Sequence, residues 1–234
     1  VAIIGGGISG VVTAYFTLKY TAKQVLLIEA NKIAHGATGH NAGQITSYFE
    51  RPFADIVREF GLEMAAAGQR AVDDAWQLME EIFADARLTT PFNQFIGYAG
   101  LGGWDELDAH LADIALQVKG GITAESVMVA DDAGDPQGVL AKYPGLFTVV
   151  PRAQILSLIQ SKDNQYIALL AKRKGCLNSA VFTEELVGFL LQKYAARFQV
   201  LEHSPVRLVE LTTSGARLHS GDKTIESDHV VLCT

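Results

Sequence analysis

Three glycines, Gly5, Gly7 and Gly10, stand in a Gly-x-Gly-x-x-Gly spacing directly behind the apolar residues 1–4. That spacing serves phosphate binding by the backbone. Gly5 permits a tight turn off a strand, Gly7 lets the main chain approach a pyrophosphate with no side chain between, and Gly10 lets a following helix pack close to the sheet. Ile8 and Ser9 open that helix, whose first amides and positive dipole end point at the bound anion. Glu29, about twenty positions further on, ends a second apolar run, with Ala30 behind it. A carboxylate there accepts hydrogen bonds from ribose hydroxyls and repels a 2′-phosphate, which disfavours NADP. A glycine-rich turn alone also occurs for purely structural reasons. Strand, turn, helix, strand and terminal acid in this order select dinucleotide binding. A second cluster lies in residues 33–44, where Gly36, Gly39 and Gly43 alternate with polar side chains. Loops this small and polar usually bind a ligand.

Hydrophobic periodicity outlines the elements that must position these residues. A helix is expected over 8–20, with Ala14 keeping it close to the sheet, and a strand over 24–29. Helices over 53–60 and 62–87 follow, the second with Ala65, Val72, Trp76, Met79 and Phe83 at helical spacing. Strands are expected at 92–101, 126–129 and 146–150, with an amphipathic helix over 104–118. A long helix is expected over 153–172, with Lys172, Arg173 and Lys174 as its solvated end. Another covers 183–197, with Leu186, Phe189, Leu190 and Tyr194 as its buried stripe. The last part changes period: 199–203, 206–212, 216–219, 223–225 and 228–233 read as short strands separated by Ser-Gly and Gly-Asp turns. The simplest assembly is an α/β, Rossmann-like nucleotide-binding domain with a β-meander, built from residues 1–47 and 176–234. An α+β lobe, residues 48–175, interrupts it and carries part of a substrate pocket.

The 234 residues are 49% hydrophobic, ample for such a core. Apolar runs such as 25–28 and 230–233 fall short of the ~20 residues a spanning helix needs, so a soluble protein is expected. A net charge of −7 argues against nucleic acid as a partner. Cys176 and Cys233 lack metal-type spacing and read as buried free thiols in a reducing, cytoplasmic location. The chain opens inside a strand without an initiator methionine and stops after an apolar one, so a C-terminally truncated piece of a longer protein is expected.

Four segments together carry a resemblance: Val-Ala-Ile-Ile-Gly-Gly-Gly-Ile-Ser-Gly at 1–10, Leu-Leu-Ile-Glu at 26–29, Gly-Ala-Thr-Gly-His-Asn-Ala-Gly-Gln at 36–44 and Asp-His-Val-Val-Leu-Cys-Thr at 228–234. They resemble the FAD-dependent amine and amino-acid oxidoreductases of the D-amino-acid oxidase superfamily. That group includes glycine oxidase, sarcosine oxidase, D-amino-acid dehydrogenase and gamma-glutamylputrescine oxidase. The resemblance covers the nucleotide-binding segments closely and the inserted lobe in outline, and implies an FAD-binding domain of the glutathione-reductase-2 type. In the family a Gly-Ala-Ser-Gly-Arg-Asn-Gly-Gly-Gln-like segment wraps the pyrophosphate and passes along the isoalloxazine. Gly36, Ala37, Gly39, Asn41, Gly43 and Gln44 match it, Thr38 stands for the serine and His40 for the arginine. The resemblance therefore implies FAD rather than NAD, with contacts from Gly36, Ala37, Thr38, His40, Asn41, Ala42, Gly43 and Gln44. In the related dimethylglycine and sarcosine dehydrogenases, a similar loop carries a histidine bonded covalently to the flavin, and that histidine aligns on His40. A noncovalent polar contact is the other reading of His40, and the surrounding residues follow it more closely. Val206 resembles the family position whose backbone meets the adenine, or is an ordinary strand residue; Thr234 begins what resembles the Ala-Thr-Gly-type turn near the ADP. His35 is either a surface histidine or a base. Tyr48 and Arg51 either face the flavin or serve packing.

The resemblance implies oxidation of the C–N bond of a small amine or amino acid by hydride transfer to flavin N5, with hydrolysis of the imine in water. No catalytic acid or base is singled out, because the deprotonated amine can be selected on binding. A substrate carboxylate needs an Arg or Lys expected beyond Thr234, so this segment alone is expected to bind FAD poorly and turn over nothing. A flavin-binding assembly or structural protein without amine turnover is the alternative; an NAD-linked dehydrogenase would leave loop 36–44 incidental.

Overall fold

The computed structural model describes residues 1–47 and 49–234. Its first half runs β1 (Ala2–Ile4), α1 (Ile8–Tyr20), β2 (Val25–Ile28), β3 (Gln44–Ile45), α2 (Phe53–Phe60), α3 (Leu62–Ala86), β4 (Asn93–Leu101) and α4 (Trp104–Lys119). The second runs β5 (Ser126–Ala130), α5 (Val139–Lys142), β6 (Thr148–Val150), α6 (Arg152–Leu158), β7 (Ala168–Cys176), α7 (Ser179–Lys193), β8 (Phe198–Leu201), β9 (Leu208–Thr212), β10 (Gly215–Ser220), β11 (Lys223–Ser227) and β12 (Val230–Leu232). They form two compact units: residues 1–44, 81–93 and 176–234, and residues 45–80 and 94–175.

The first unit is built on a four-stranded sheet in the order β12-β1-β2-β8, every neighbour parallel. Alternation along the strands divides its side chains between two faces. Ala2, Ile4 and Ile28 meet Leu218 and, around it, Val206, Val209 and Ile225, so the antiparallel meander β9-β10-β11 covers one face. Ile3 and Leu27, both fully buried, point the other way. There α1 buries Val11, Ala14 and Leu18, and α7 buries Phe182, Leu186 and Leu190. The meander's turns fall where the Ser-Gly and Gly-Asp pairs predict them.

Residues 81–93, which the sequence reading places in the insert, belong to the first unit, and polar contacts explain why. Tyr15, fully buried, donates from its hydroxyl to Asp85 Oδ2 at 2.8 Å, and Lys19 Nζ donates to Tyr15 Oη at 2.9 Å. Lys19 pairs with Glu81 at 2.7 Å and Lys193 with Asp85 at 2.8 Å. Glu185 of α7 accepts the amides of Thr89 and Thr90 at 2.9 and 3.1 Å. Phe83 stacks on Phe92 and packs against Phe182.

In the second unit β7 is central to a five-stranded sheet with β3, β4, β5 and β6; β5 runs antiparallel to β7 and parallel to β6. Leu107, Leu111 and Ile114 of α4 cover Val127, Val129, Ala168 and Leu170 on one face. Ile155 of α6 packs with Ala130 and Leu169 on the other. The expected helix over 153–172 is two elements. α6 stops at Leu158, Gln160 takes a left-handed φ of 54°, and the side chains of Ser161 and Asp163 accept the amides of Asp163 and Gln165 in a turn. Residues 168–171 then pair with β5. Lys172, Arg173 and Lys174 are strand residues, not a helix end: Lys172 pairs with Glu125 at 2.8 Å, and the Arg173 guanidinium lies 4.4 Å from the Trp76 ring centre. Among the described residues, no helix is long and apolar enough to cross a membrane.

Candidate cofactor site

The first unit carries a cleft of about 900 Å³ at the carboxyl ends of its parallel strands, where Ile4, Ile28 and Leu232 end β1, β2 and β12. β1 has β2 on one side and β12 on the other, and this reversal of strand order is where open parallel sheets bind ligands.

Sterics show why the turn needs its glycines. A Cβ on Gly10 would lie 1.9 Å from the Gly5 carbonyl oxygen. Gly5 itself has φ +113°, and a Cβ there would lie 2.3 Å from the carbonyl oxygen of Cys233, at the end of β12. α1 starts at Ile8 without a side-chain cap and without an acid in its first turn, which leaves its positive end suited to an anion. The Ile8 amide donates to Thr38 Oγ1 at 3.0 Å, tying loop 36–44 to the helix start.

Glu29 is held by two amides: Gly6 N donates to Oε2 and Asn31 N to Oε1, each at 2.7 Å. A carboxylate has about four acceptor sites, so two remain for hydroxyl donors. Asn41 pins the loop. Its Nδ2 donates to the carbonyls of Ala37 and Thr38 at 2.9 and 2.8 Å, and its Oδ1 accepts the Gly43 amide at 2.7 Å. The Ser179 hydroxyl donates to the Thr38 carbonyl at 2.6 Å. Gly43 has φ +68°, and a Cβ there would lie 2.0 Å from the Leu177 carbonyl oxygen; its own carbonyl accepts the Leu177 amide at 3.0 Å. The second half of the loop is thus fastened to the start of α7.

Of the residues singled out in the sequence, Gly5, Gly7, Ile8, Ser9, Glu29, Ala30, Gly36, Ala37, Thr38, Asn41, Val206 and Thr234 line the cleft. Gly10, His40, Ala42, Gly43 and Gln44 are not on its wall. The exposed His40 ring has Nδ1 2.9 Å from the Gly36 carbonyl oxygen and meets His35 edge to face at 6.1 Å between ring centres. Arg51 pairs with Glu59 at 2.8 Å on the surface of the second unit, and Tyr48 lies outside the described residues. Cys176 and Cys233 are free, but both are half-buried rather than buried. Cys233 lines the cleft, as do Asn31, Ser204, Pro205 and Arg207, none of which the sequence reading named as cofactor contacts. The 204–207 segment is set by main-chain bonds: the amides of His203 and Ser204 donate to the carbonyls of Asn31 and Glu29 at 2.8 and 2.9 Å.

The model of the FAD dependent oxidoreductase family, DAO, matches residues 1–234. The chain belongs to this family. Among solved structures its fold is similar to L-proline dehydrogenase from P. horikoshii, with a TM-score of 0.71 and 17% identity over all of this chain and 52% of that one. Glycine oxidase from Geobacillus kaustophilus gives a TM-score of 0.63 and 16% identity over 100% and 54%. L-alpha-glycerophosphate oxidase from Mycoplasma pneumoniae, solved with FAD bound, gives 0.59 and 14% over 99% and 51%. The chain therefore spans about half the length of these relatives. A Bacillus subtilis (strain 168) protein provisionally named a Rieske 2Fe-2S iron-sulfur protein, YhfW, is 38% identical over 85 residues, 35% of this chain and 16% of that protein.

The residues present fit the family's cofactor. A helix start without an acid in its first turn lines the cleft beside the glycine turn, a held carboxylate stands at the end of β2, and a Cβ on Gly36 would meet no atom within 4 Å. Such features would suit a pyrophosphate, a ribose and a bulky ligand.

Proposed function

We propose that this chain is the cofactor-holding part, with part of the substrate lobe, of an FAD-dependent enzyme that oxidises the C–N bond of a small amine or amino acid. The observation that carries the reading is the cleft at the ends of β1, β2 and β12, in a chain matched throughout by the family. The amine substrate class is supported by likeness to L-proline dehydrogenase and glycine oxidase, which share the fold. FAD, when bound, supplies the two-electron acceptor for the substrate's α-C–H bond. The chain's own residues bind and orient. Glu29 holds a ribose, the α1 amides face the pyrophosphate, and Thr38 and Asn41 keep loop 36–44 folded beside them. The lobe of residues 45–80 and 94–175 offers a cleft of about 570 Å³, lined by charges of both signs, including Arg70, Asp73 and Lys174. Such a lining suits a zwitterion.

The test is anaerobic reduction of the flavin-loaded full-length enzyme by a panel of amines and amino acids. Bleaching of the visible flavin band by one of them is expected; a band unmoved by all would sink amine oxidation and favour an assembly role.

A further inference from the structure

We infer that Arg207 is a cofactor-positioning residue, its guanidinium covering the adenine face of the bound dinucleotide and so selecting FAD over FMN. Among the described residues, Arg207 is the single cationic side chain on the wall of the cleft, against one carboxylate, Glu29. Its backbone is fixed: its amide donates to the His219 carbonyl at 2.8 Å, which locks it beside the start of the meander. Its side chain is exposed, and no hydrogen bond or ion pair joins the guanidinium to another described residue. A cation fixed at its root and unpaired at its tip is available to a ligand.

The place of Arg207 along the cleft decides which part of the ligand it meets. The pyrophosphate end is the glycine turn and the start of α1, where amides already face the anion. Glu29, at the end of β2, marks the ribose. Ser204 and His203 bond directly to the carbonyls of Glu29 and Asn31, so the 204–207 segment continues the wall on from the residue that would meet the ribose. The ligand group beyond the ribose is the base. A planar guanidinium stacks on an aromatic face and pairs with its π-electrons, which an ammonium does less well. FMN carries no adenine, so the contact discriminates between the two flavin nucleotides.

The inference rests on the FAD reading of the cleft, and the experiment separates the two. Dissociation constants for FAD, ADP and FMN are measured on the full-length wild-type protein and on its Arg207→Ala and Arg207→Lys variants, with thermal melting of each ligand-free protein as the fold control. Expected is a weakening of roughly tenfold for FAD and ADP in Arg207→Ala, a partial loss in Arg207→Lys, no change for FMN, and an unchanged melting point. FAD and ADP affinities within twofold of wild type in Arg207→Ala would overturn the assignment. Equal weakening for FMN would also overturn it, because the guanidinium would then serve a phosphate. A full-length wild-type protein that binds neither FAD nor ADP refutes the cleft reading itself.

Discussion

Gly10→Ala probes the seat of α1 on β1, on which the glycine-turn end of the cleft depends. A Cβ at this position would lie 1.9 Å from the Gly5 carbonyl oxygen, 3.1 Å from its carbon and 3.4 Å from Ile3 Cγ2. The first contact is with backbone, so no rotamer relieves it, and helix and strand must part by roughly 1 Å. Overpacking of this kind costs about 1–3 kcal/mol, and a main-chain clash belongs at the upper end. Replacing a helical glycine by alanine returns up to ~1 kcal/mol of propensity. The balance is a loss of about 2 kcal/mol, or a melting point lower by about 4–8 °C for a chain of this size. Gly188, inside α7, is the matched control, because a Cβ there meets nothing within 4 Å. Gly188→Ala therefore keeps only the propensity gain and is expected to melt slightly higher. Circular dichroism melts of both variants, with an ADP titration, decide the matter. If Gly10→Ala melts at or above wild type and binds ADP normally, α1 does not sit against β1 as described.

Three further outcomes are expected. Glu29→Ala removes a charged acceptor, and hydrogen bonds to charged groups are worth ~1.5–3 kcal/mol, so FAD affinity should fall at least about tenfold in a fluorescence titration; an unchanged affinity argues against a ribose contact. In the Tyr15 cluster, hydrogen bonds from Lys19 and Lys193 hold the carboxyls of Glu81 and Asp85 below their usual range, while burial pushes the Tyr15 hydroxyl up to about 12. The carboxylates thus stabilise at neutral pH and lose that contribution as pH falls below their ordinary values near 4.5 and 3.8, whereas the tyrosine's contribution is lost as pH rises from 10 towards 12. Tyr15→Phe should cost about 1–2 kcal/mol at neutral pH and flatten the alkaline limb of a urea-denaturation series, and an alkaline limb as steep as wild type would contradict it. Acid precipitation of the flavin-loaded protein should release all its flavin, because His40 stands off the cleft wall; a yellow pellet would show a covalent bond instead.

Local sterics made much of the glycine turn and its flanking elements legible. The tight turn at Gly5, the helix start at Ile8 and the acid at Glu29 follow from short spacings that any chain of this sequence must obey. The meander was readable for the same reason, since each of its turns is set by adjacent residues. Residues 153–172 were not: a run of mixed polarity fits helix or strand alike, and its second half becomes β7 because β5 offers a partner. The assignment of residues 81–93 to the first unit likewise depends on Tyr15, Lys19 and Glu185, which are distant along the chain.

The cleft divides in the same way. Gly5, Gly7 and Glu29 pointed to a dinucleotide site by type and spacing, whereas loop 36–44 joined them through its resemblance to the family segment. Asn31, Ser204, Arg207 and Cys233 join its wall only after β2, β8 and β12 align in parallel and bring their carboxyl ends together. Asn41 and Gly43 carry motif identity in the sequence, yet the structure gives each a fastening role against Ser179 and Leu177. The sequence by itself determined what the backbone must do near a phosphate, because that is a matter of φ, of Cβ and of the next few residues. Which distant side chains share the cleft was decided by sheet order, which depends on long-range packing that no local pattern encodes.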